Sequence, residues 1–263
     1  PYTYSGTNTP TTPWTTTQNG LTGPMLCTWP LDGNGQPIGH AYFNQDFVIQ
    51  AGARLYVQGM EWRFAPTARL IVEPGAFVQF KDCLLRGGAC GPERWPGVEV
   101  RAITNMPQGS NPAFPPNHGK MVFNNSTVQD AEVGVTLGKK NMFGIVQFAG
   151  GILQSTGSTF RNCRVGANFY PYKNLSPGGF ELPNNSRFST STFTADAGYI
   201  NHAVNGFDFA VQAQMWKVKG IRYQGCTFQN LRTTENQSSK RGQGIRSLDA
   251  EFHVTSRCAD LGP

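Results

Sequence analysis

The chain of 263 residues has a formal net charge of +6, is 38% hydrophobic and only 14% charged, against about 25% charged residues in an ordinary globular protein. Its 31 Gly, 18 Pro and 18 Phe exclude helical bundles and coiled coils, which draw on Ala, Glu, Lys and Leu. No apolar run approaches the roughly 18 residues of a membrane-spanning helix.

In chain order, residues 1–46 stand apart. Thr and Pro dominate (Thr9-Pro10-Thr11-Thr12-Pro13, Thr15-Thr16-Thr17), followed by the turn signals Asn19-Gly20, Asp32-Gly33 and Asn34-Gly35. This stretch reads as a leader or an irregular N-terminal cap. From Phe47 onward, short alternating apolar stretches are punctuated by Gly, Asn, Ser and Pro, the pattern of strands rather than helices.

Self-comparison is more informative than any single motif. Val48-Ile49-Gln50-Ala51-Gly52-Ala53-Arg54-Leu55-Tyr56-Val57 lies over Ile71-Val72-Glu73-Pro74-Gly75-Ala76-Phe77-Val78-Gln79-Phe80. A second unit, Ser126-Thr127-Val128-Gln129-Asp130-Ala131-Glu132-Val133-Gly134, matches Ser158-Thr159-Phe160-Arg161-Asn162-Cys163-Arg164-Val165-Gly166 and returns as Cys226-Thr227-Phe228-Gln229-Asn230 and as Thr192-Phe193-Thr194. A unit of strand, corner and strand has unpaired edges and one apolar face, so it is stable only when stacked on its neighbours about 4.8 Å away. The expected fold is therefore all-β, a right-handed parallel β-helix (solenoid) over 47–263 of about eight turns. Val128, Phe160 and Phe228 should stack inside it, and Asn124-Asn125 and Asn184-Asn185 should serve as corner ladders. Loop insertions are expected at about 102–118 and 170–187, where local function would sit. A β-sandwich is the alternative; it does not repeat a corner motif.

The succession Ile71-Val72-Glu73-Pro74-Gly75-Ala76, Cys90 with Trp95-Pro96-Gly97-Val98-Glu99-Val100, Gly150-Gly151-Ile152-Leu153 leading into Ser158–Cys163, and Met215-Trp216-Lys217-Val218-Lys219-Gly220 before Cys226-Thr227-Phe228 resembles the secreted right-handed β-helix proteins of Bacteroidetes-type bacteria. The resemblance covers about 45 to 255. It implies an exported, extracellular or cell-surface protein of a group often carrying a type IX secretion sorting domain and mostly without assigned activity. These residues do not read as a sorting domain, and Gly244-Ile245-Arg246-Ser247-Leu248-Asp249-Ala250 reads like the start of another turn, so the β-helix is expected to be truncated at the C-terminus, as the N-terminal part of a longer protein. Signal-peptide character is also absent, and an export signal is expected to have been removed or to lie outside these residues. Six cysteines without a C-x-x-C pair fit an exported protein. Cys83 and Cys90 are the pair close enough in sequence to suggest a disulfide.

Chemistry is sparser. The eight Asp are isolated, without the converging carboxylates of a glycoside hydrolase. Arg161, Arg164 and Lys173 around one turn, with Asp196 and Asp208 later, are the candidates for a polysaccharide lyase, which needs a base and a charge to acidify the proton α to a uronate carboxylate; solvated charges on a sheet face explain them more simply. His40, His118, His202 and His253 have no metal spacing, there is no nucleophile elbow, and Gly33-Asn34-Gly35 lacks the strand-to-helix context of a phosphate loop. No cofactor, metal site or catalytic residue is expected.

Residues 212–263 hold eight basic residues against four acidic ones. Nucleic-acid binding would need denser basic patches with stacking aromatics, which leaves an acidic polysaccharide or cell-surface glycan as the expected anion. Tyr170, Tyr172 and Lys173 on one insertion, and Trp216 with Lys217 and Lys219, are the candidate sugar-binding residues: flat rings pack on apolar sugar faces while basic tips meet carboxylates. The expectation is a non-catalytic scaffold or adhesion module, binding glycan or self-associating end to end through its open strand edges, with a polysaccharide lyase or other carbohydrate-active enzyme as the alternative.

Overall fold

The computed structural model describes residues 2–9, 11, 40–88, 93–109, 113–200, 210–232 and 242–256. The described residues are all-β and contain no helix, and so none long and apolar enough to cross a membrane. Three parallel sheets account for the main strands. Sheet A has eight, from Tyr2–Tyr4 to Gln243–Leu248; sheet B has seven, from Arg54–Gln58 to Glu251–Thr255; sheet C has seven, from His40–Phe43 to Thr227–Asn230.

The chain visits the sheets in a fixed order. Arg54–Gln58 in sheet B is followed by Glu61–Phe64 in sheet C and Arg69–Val72 in sheet A, after which Phe77–Lys81 returns to sheet B beside the strand that opened the circuit. Later circuits repeat this order, and each strand pairs in parallel with its counterpart in the next. The repeats in the sequence are the register of the sheets. Val48 pairs with Ile71 and Ile49 with Val72, while Leu55, Tyr56 and Val57 pair with Val78, Gln79 and Phe80. Thr127, Val128 and Gln129 lie on Thr159, Phe160 and Arg161, these on Thr192, Phe193 and Thr194, and these on Thr227, Phe228 and Gln229. Like residues lie over like because each adjacent strand offers the same half-buried environment one step along.

The N-terminal segment is partly built into this frame. Tyr2–Tyr4 pairs with Phe47–Ile49 as the first strand of sheet A, and Asn8 exchanges hydrogen bonds with the backbone of Tyr56 (2.7 and 2.9 Å). His40–Phe43 already belongs to sheet C.

One hydrophobic core is shared by all three sheets. Sheet C contributes a column of rings: Phe160, Phe193 and Phe228 stack at 4.7 and 4.9 Å with interplanar angles of 10° and 6°. Sheet A makes room for them, because the column that holds Leu70, Val98 and Val135 earlier falls to Ala167 and Ala213 in those circuits. Gly134 and Gly166 serve the same end: a Cβ on either would come within 3.3 Å of the Phe160 ring or 2.9 Å of the Phe193 ring. Large residues on one sheet thus meet small ones on another, which keeps the interior close-packed.

The corner from sheet B to sheet C has an invariant form. Two residues join the strands in six circuits: Gly59-Met60, Asp82-Cys83, Asn125-Ser126, Gly157-Ser158, Thr190-Ser191 and Gly225-Cys226. The first of each pair has φ between +48° and +65°, the left-handed conformation that Gly, Asn and Asp adopt most cheaply. In five of the six, the second donates from its hydroxyl or thiol to the carbonyl two residues back, as Ser158 Oγ does to Thr156 (2.9 Å) and Cys83 Sγ to Lys81 (3.1 Å). Ser126 and Ser158 also accept the Cys83 and Ser126 amides, both at 3.1 Å. The expected Asn ladder is therefore a mixed one. Asn125 donates to Asp82 (2.7 Å), but what recurs is the backbone conformation, which several residue types satisfy.

The same corner accounts for Cys83 and Cys226. Cys83 is a free, buried thiol occupying a serine position, and Cys90, its expected disulfide partner, lies outside the described residues; Cys163 and Cys226 are free as well. Burial pushes the Cys83 thiol up to about 11 and the Cys163 thiol up to about 12, so both remain protonated and unreactive at neutral pH.

Candidate functional site

The corner from sheet A back to sheet B is where the circuits differ. It is four residues long after Ile49 and after Val72, then carries insertions at 101–119, 138–151 and 170–186 in three successive circuits, and shrinks to two residues at Lys217-Val218 and Asp249-Ala250. Two insertions match the expected loops; the middle one does not appear among the sequence expectations. It contains the antiparallel hairpin Lys139–Lys140 with Val146–Gln147, and the third contains Asn174–Leu175 with Glu181–Leu182.

Buried polar contacts tie the insertions together. Gln108 accepts the Asn185 amide (2.8 Å) and donates to the Gly150 carbonyl (2.9 Å). The Gly150 carbonyl also accepts the Nδ1 proton of buried His118 (2.8 Å), while Asn174 accepts the Gln108 amide (2.8 Å) and donates to the Pro183 carbonyl (2.8 Å). Burial lowers the His118 pKa, so the ring is neutral at pH 7, with its Nε2 buried and unpartnered among the described residues.

Beside this network lie two grooves. The larger, about 600 Å³, is lined by Lys173, Lys217 and Lys219 and by Glu181, Asp249 and Glu251, with Val218 and Ala250 completing it. The smaller, about 390 Å³, is more apolar, lined by Met106, Pro107, Pro171, Tyr172 and Leu175, and it shares Lys173 and Lys217 with the first. Those two lysines therefore stand on the ridge between the grooves. Both are exposed, and neither has an ion-pair partner among the described residues. Lys219 is held 3.5 Å from Glu251, an exposed pair worth about 0–1 kcal/mol.

The six candidate sugar-binding residues thus gather at one corner, in distinct roles. Tyr170 and Trp216 occupy equivalent places on neighbouring strands of sheet A, directly after the pair Phe169 and Met215. Both are half-buried, and the Lys140 ammonium of the middle hairpin sits 5.4 Å from the Tyr170 ring and 5.9 Å from the Trp216 ring. Tyr172 is not a platform: its ring is buried against His118, and its hydroxyl donates to the Met106 carbonyl (2.8 Å). It fastens the first insertion to the third. Lys173, Lys217 and Lys219 line the groove as charged groups.

Sequence reading missed Lys140 and the acidic wall. The turn Asn141-Met142-Phe143-Gly144 after two lysines was the available signal for the hairpin. Glu181 belongs to the third insertion, whereas Asp249 and Glu251 lie at the last A-to-B corner, so no local spacing joins the wall to Glu181 or to the lysines.

Of the residues considered for a lyase, Arg161 and Asp196 meet as an ion pair, while Arg164 and Lys173 do not join them. Arg161 is paired with Asp196 (2.7 Å) on the outer face of sheet C, Arg164 with Glu132 (2.6 Å), and Lys173 lies at the A-to-B corner; Asp208 falls outside the described residues. No group of three His, Cys, Asp or Glu side chains that could hold a metal occurs among the described residues. On sheet A, Arg69 and Arg101 share Glu99 (3.2 and 2.5 Å) and pair outward with Asp46 and Glu73. That network sets two cations against three carboxylates, so its arginines are fully paired, whereas the ridge lysines have no ion pair among the described residues. No protein-family model matches the chain, and no curated protein and no solved structure matches it.

Proposed function

We propose that the chain winds as a right-handed parallel β-helix and acts as a non-catalytic extracellular or cell-surface scaffold and adhesion module. Its ligand in this reading is an acidic polysaccharide or cell-surface glycan held along the A-to-B corner. The observation that carries the proposal is the ridge: two exposed lysines without ion pairs among the described residues stand between two grooves, beside the half-buried rings of Tyr170 and Trp216. Ammonium groups answer carboxylates, and the acids across the larger groove accept from sugar hydroxyls. The resemblance to secreted Bacteroidetes-type β-helix proteins supports the location, and the register of like residues across three sheets supports the winding.

A glycan array, followed by titration with a uronate polysaccharide, tests the reading. Lys173→Gln with Lys217→Gln is expected to weaken binding at least about tenfold, the loss of roughly 1.4 kcal/mol or more, without changing the melting temperature. Absence of glycan binding rejects the adhesion role, and ultraviolet absorbance from unsaturated products on incubation with uronate polymers would replace it with a lyase. End-to-end self-association is a second reading, favoured by Leu248 and Val254, exposed by 61% and 56% in the terminal strands of sheets A and B; sedimentation over a concentration series reads it.

A further inference from the structure

The described residues expose twelve large apolar side chains, and nine of them belong to the three insertions at the A-to-B corner. The most exposed are at two hairpin tips: Met142 (90%), Phe143 (80%) and Ile145 (59%) in the middle insertion and Phe180 (76%) in the next. A monomer rarely gathers such residues on one region of its surface without a partner for them.

The tips are rigid and built alike. In the first, Asn141 exchanges backbone hydrogen bonds with Ile145 and Gly144 (3.0 and 2.9 Å), and its side-chain oxygen accepts the amides of Phe143 and Ile145 (3.0 and 2.9 Å). In the second, Ser176 takes the same place: its amide donates to Phe180 (2.7 Å), its carbonyl accepts from Gly179 (2.9 Å), and its hydroxyl accepts the Phe180 amide (3.0 Å). Gly144 and Gly179 supply the left-handed φ of +76° and +80°. Backbone polar groups paired within the turn are what entry into a medium without water requires, since an unpaired amide there costs several kcal/mol.

Charge is matched around the middle hairpin. It has no acidic residue, and Lys139 and Lys140 stand at its base; Lys173 and Lys217 lie at the same corner, in a groove they share with Lys219 and with Glu181, Asp249 and Glu251. From Lys140 to Phe143 is at most about 10 Å of chain, comparable to the roughly 5–10 Å by which interfacial segments enter a bilayer, apolar groups inward and lysines at the headgroups. A soluble protein partner would not require lysines to stand directly beneath an apolar tip, whereas anionic headgroups over an acyl layer do. We propose that the A-to-B corner docks onto a lipid bilayer bearing anionic headgroups, with Met142 and Phe143 entering the acyl boundary and Lys139 meeting lipid phosphates.

Flotation of the full chain with equimolar phosphatidylcholine and phosphatidylglycerol vesicles, against pure phosphatidylcholine, is the test. The protein is expected to float with the anionic vesicles only, less so as salt rises. Met142→Ser with Phe143→Ser should cut vesicle affinity at least about tenfold, and Lys139→Gln severalfold, with unchanged melting because these side chains lie outside the core. A wild-type chain that stays in the aqueous phase with both vesicle types overturns the proposal, as does flotation that the double variant leaves intact. So does tip-dependent dimerisation without flotation. Sugar-free vesicles keep this outcome separate from that of the glycan reading.

Discussion

The B-to-C and A-to-B corners are made by the same chain on the same stack of strands, and they obey opposite rules. The B-to-C corner joins its strands with two residues in six circuits, the first left-handed and the second a small inward donor in five of them. The A-to-B corner varies from two residues to the long insertion 101–119. Closing a longer loop adds only about 0.6 kcal/mol per doubling of its length, so a stack held by its ladders can accept insertions wherever no corner bond is interrupted. One corner thus keeps the stack in register while the other is free to carry loops, lysines and grooves. The uniform corner and the variable one are separated within each circuit, and the proposed recognition surface lies on the variable one.

The sharpest break in the stack comes from its core. Phe193 is fully buried between Phe160 and Phe228, and Gly166, which faces its ring, has no side chain to fill the gap, so Phe193→Ala should lower unfolding stability by about 3–5 kcal/mol in denaturant titration. An equal truncation at the A-to-B tip, Phe143→Ala, should leave stability within about 0.5 kcal/mol of the wild type. Next in size is the corner bond. Ser158→Ala removes the acceptor of the buried Ser126 amide and the donor to the Thr156 carbonyl, for an expected loss of about 1–3 kcal/mol. Restoration by Ser158→Cys, on the model of Cys83, would identify the donor as the essential feature.

Much of the stack was legible because pairing in parallel register forces equivalent positions to carry equivalent residues. Val48 over Ile71 and Thr127 over Thr159 could be aligned by eye and are paired in space. The insertions were less legible. Strands of two residues, such as Lys139–Lys140, are too short to show alternation, and after Pro171 the in-and-out pattern that would have marked Tyr172 as buried is lost. The cysteines misled for a physical reason: Sγ and Oγ serve the same corner bond, so Cys83 and Cys226 belong with Ser126 and Ser158 rather than with a disulfide framework. The candidate site was half legible. Lys173, Lys217, Trp216 and Tyr170 were singled out by type, whereas Lys140 and the acids facing them are assembled by stacking alone.

The A-to-B corner should also respond to pH where the B-to-C corner does not. Burial lowers the His118 pKa from its ordinary 6.5, so the unfolded segment takes up a proton more readily than the folded one. The stabilising contribution of neutral His118 is therefore complete above pH 6.5 and declines as pH falls below that value. Hydrogen-exchange protection of 101–119 and 170–186, measured against the intrinsic rate at each pH, should fall in mild acid ahead of that of the strands, and His118→Gln should abolish the difference. An equal loss of protection across both corners would mean that the insertions are not a separately stable unit.

The smallest effect discriminates most finely, because it concerns the backbone alone. Thr190 holds a φ of +48° in a column where Gly59, Asp82, Asn125, Gly157 and Gly225 take the same conformation, and a β-branched residue there is strained. The left-handed cost of roughly 1–2 kcal/mol exceeds the 0.5–1 kcal/mol of chain entropy that glycine forfeits. Thr190→Gly should accordingly stabilise the protein by about 0.5–1 kcal/mol. Its counterpart lies one circuit earlier: Gly157 has φ +59° and nothing within 4 Å of where a Cβ would stand. Gly157→Ala then carries the conformational cost without a clash, and should destabilise by about the same amount. If both substitutions moved the unfolding midpoint in one direction, the left-handed residue would not be the unit that sets this corner, and the contrast between the two corners would have to rest on the serine and cysteine bonds instead.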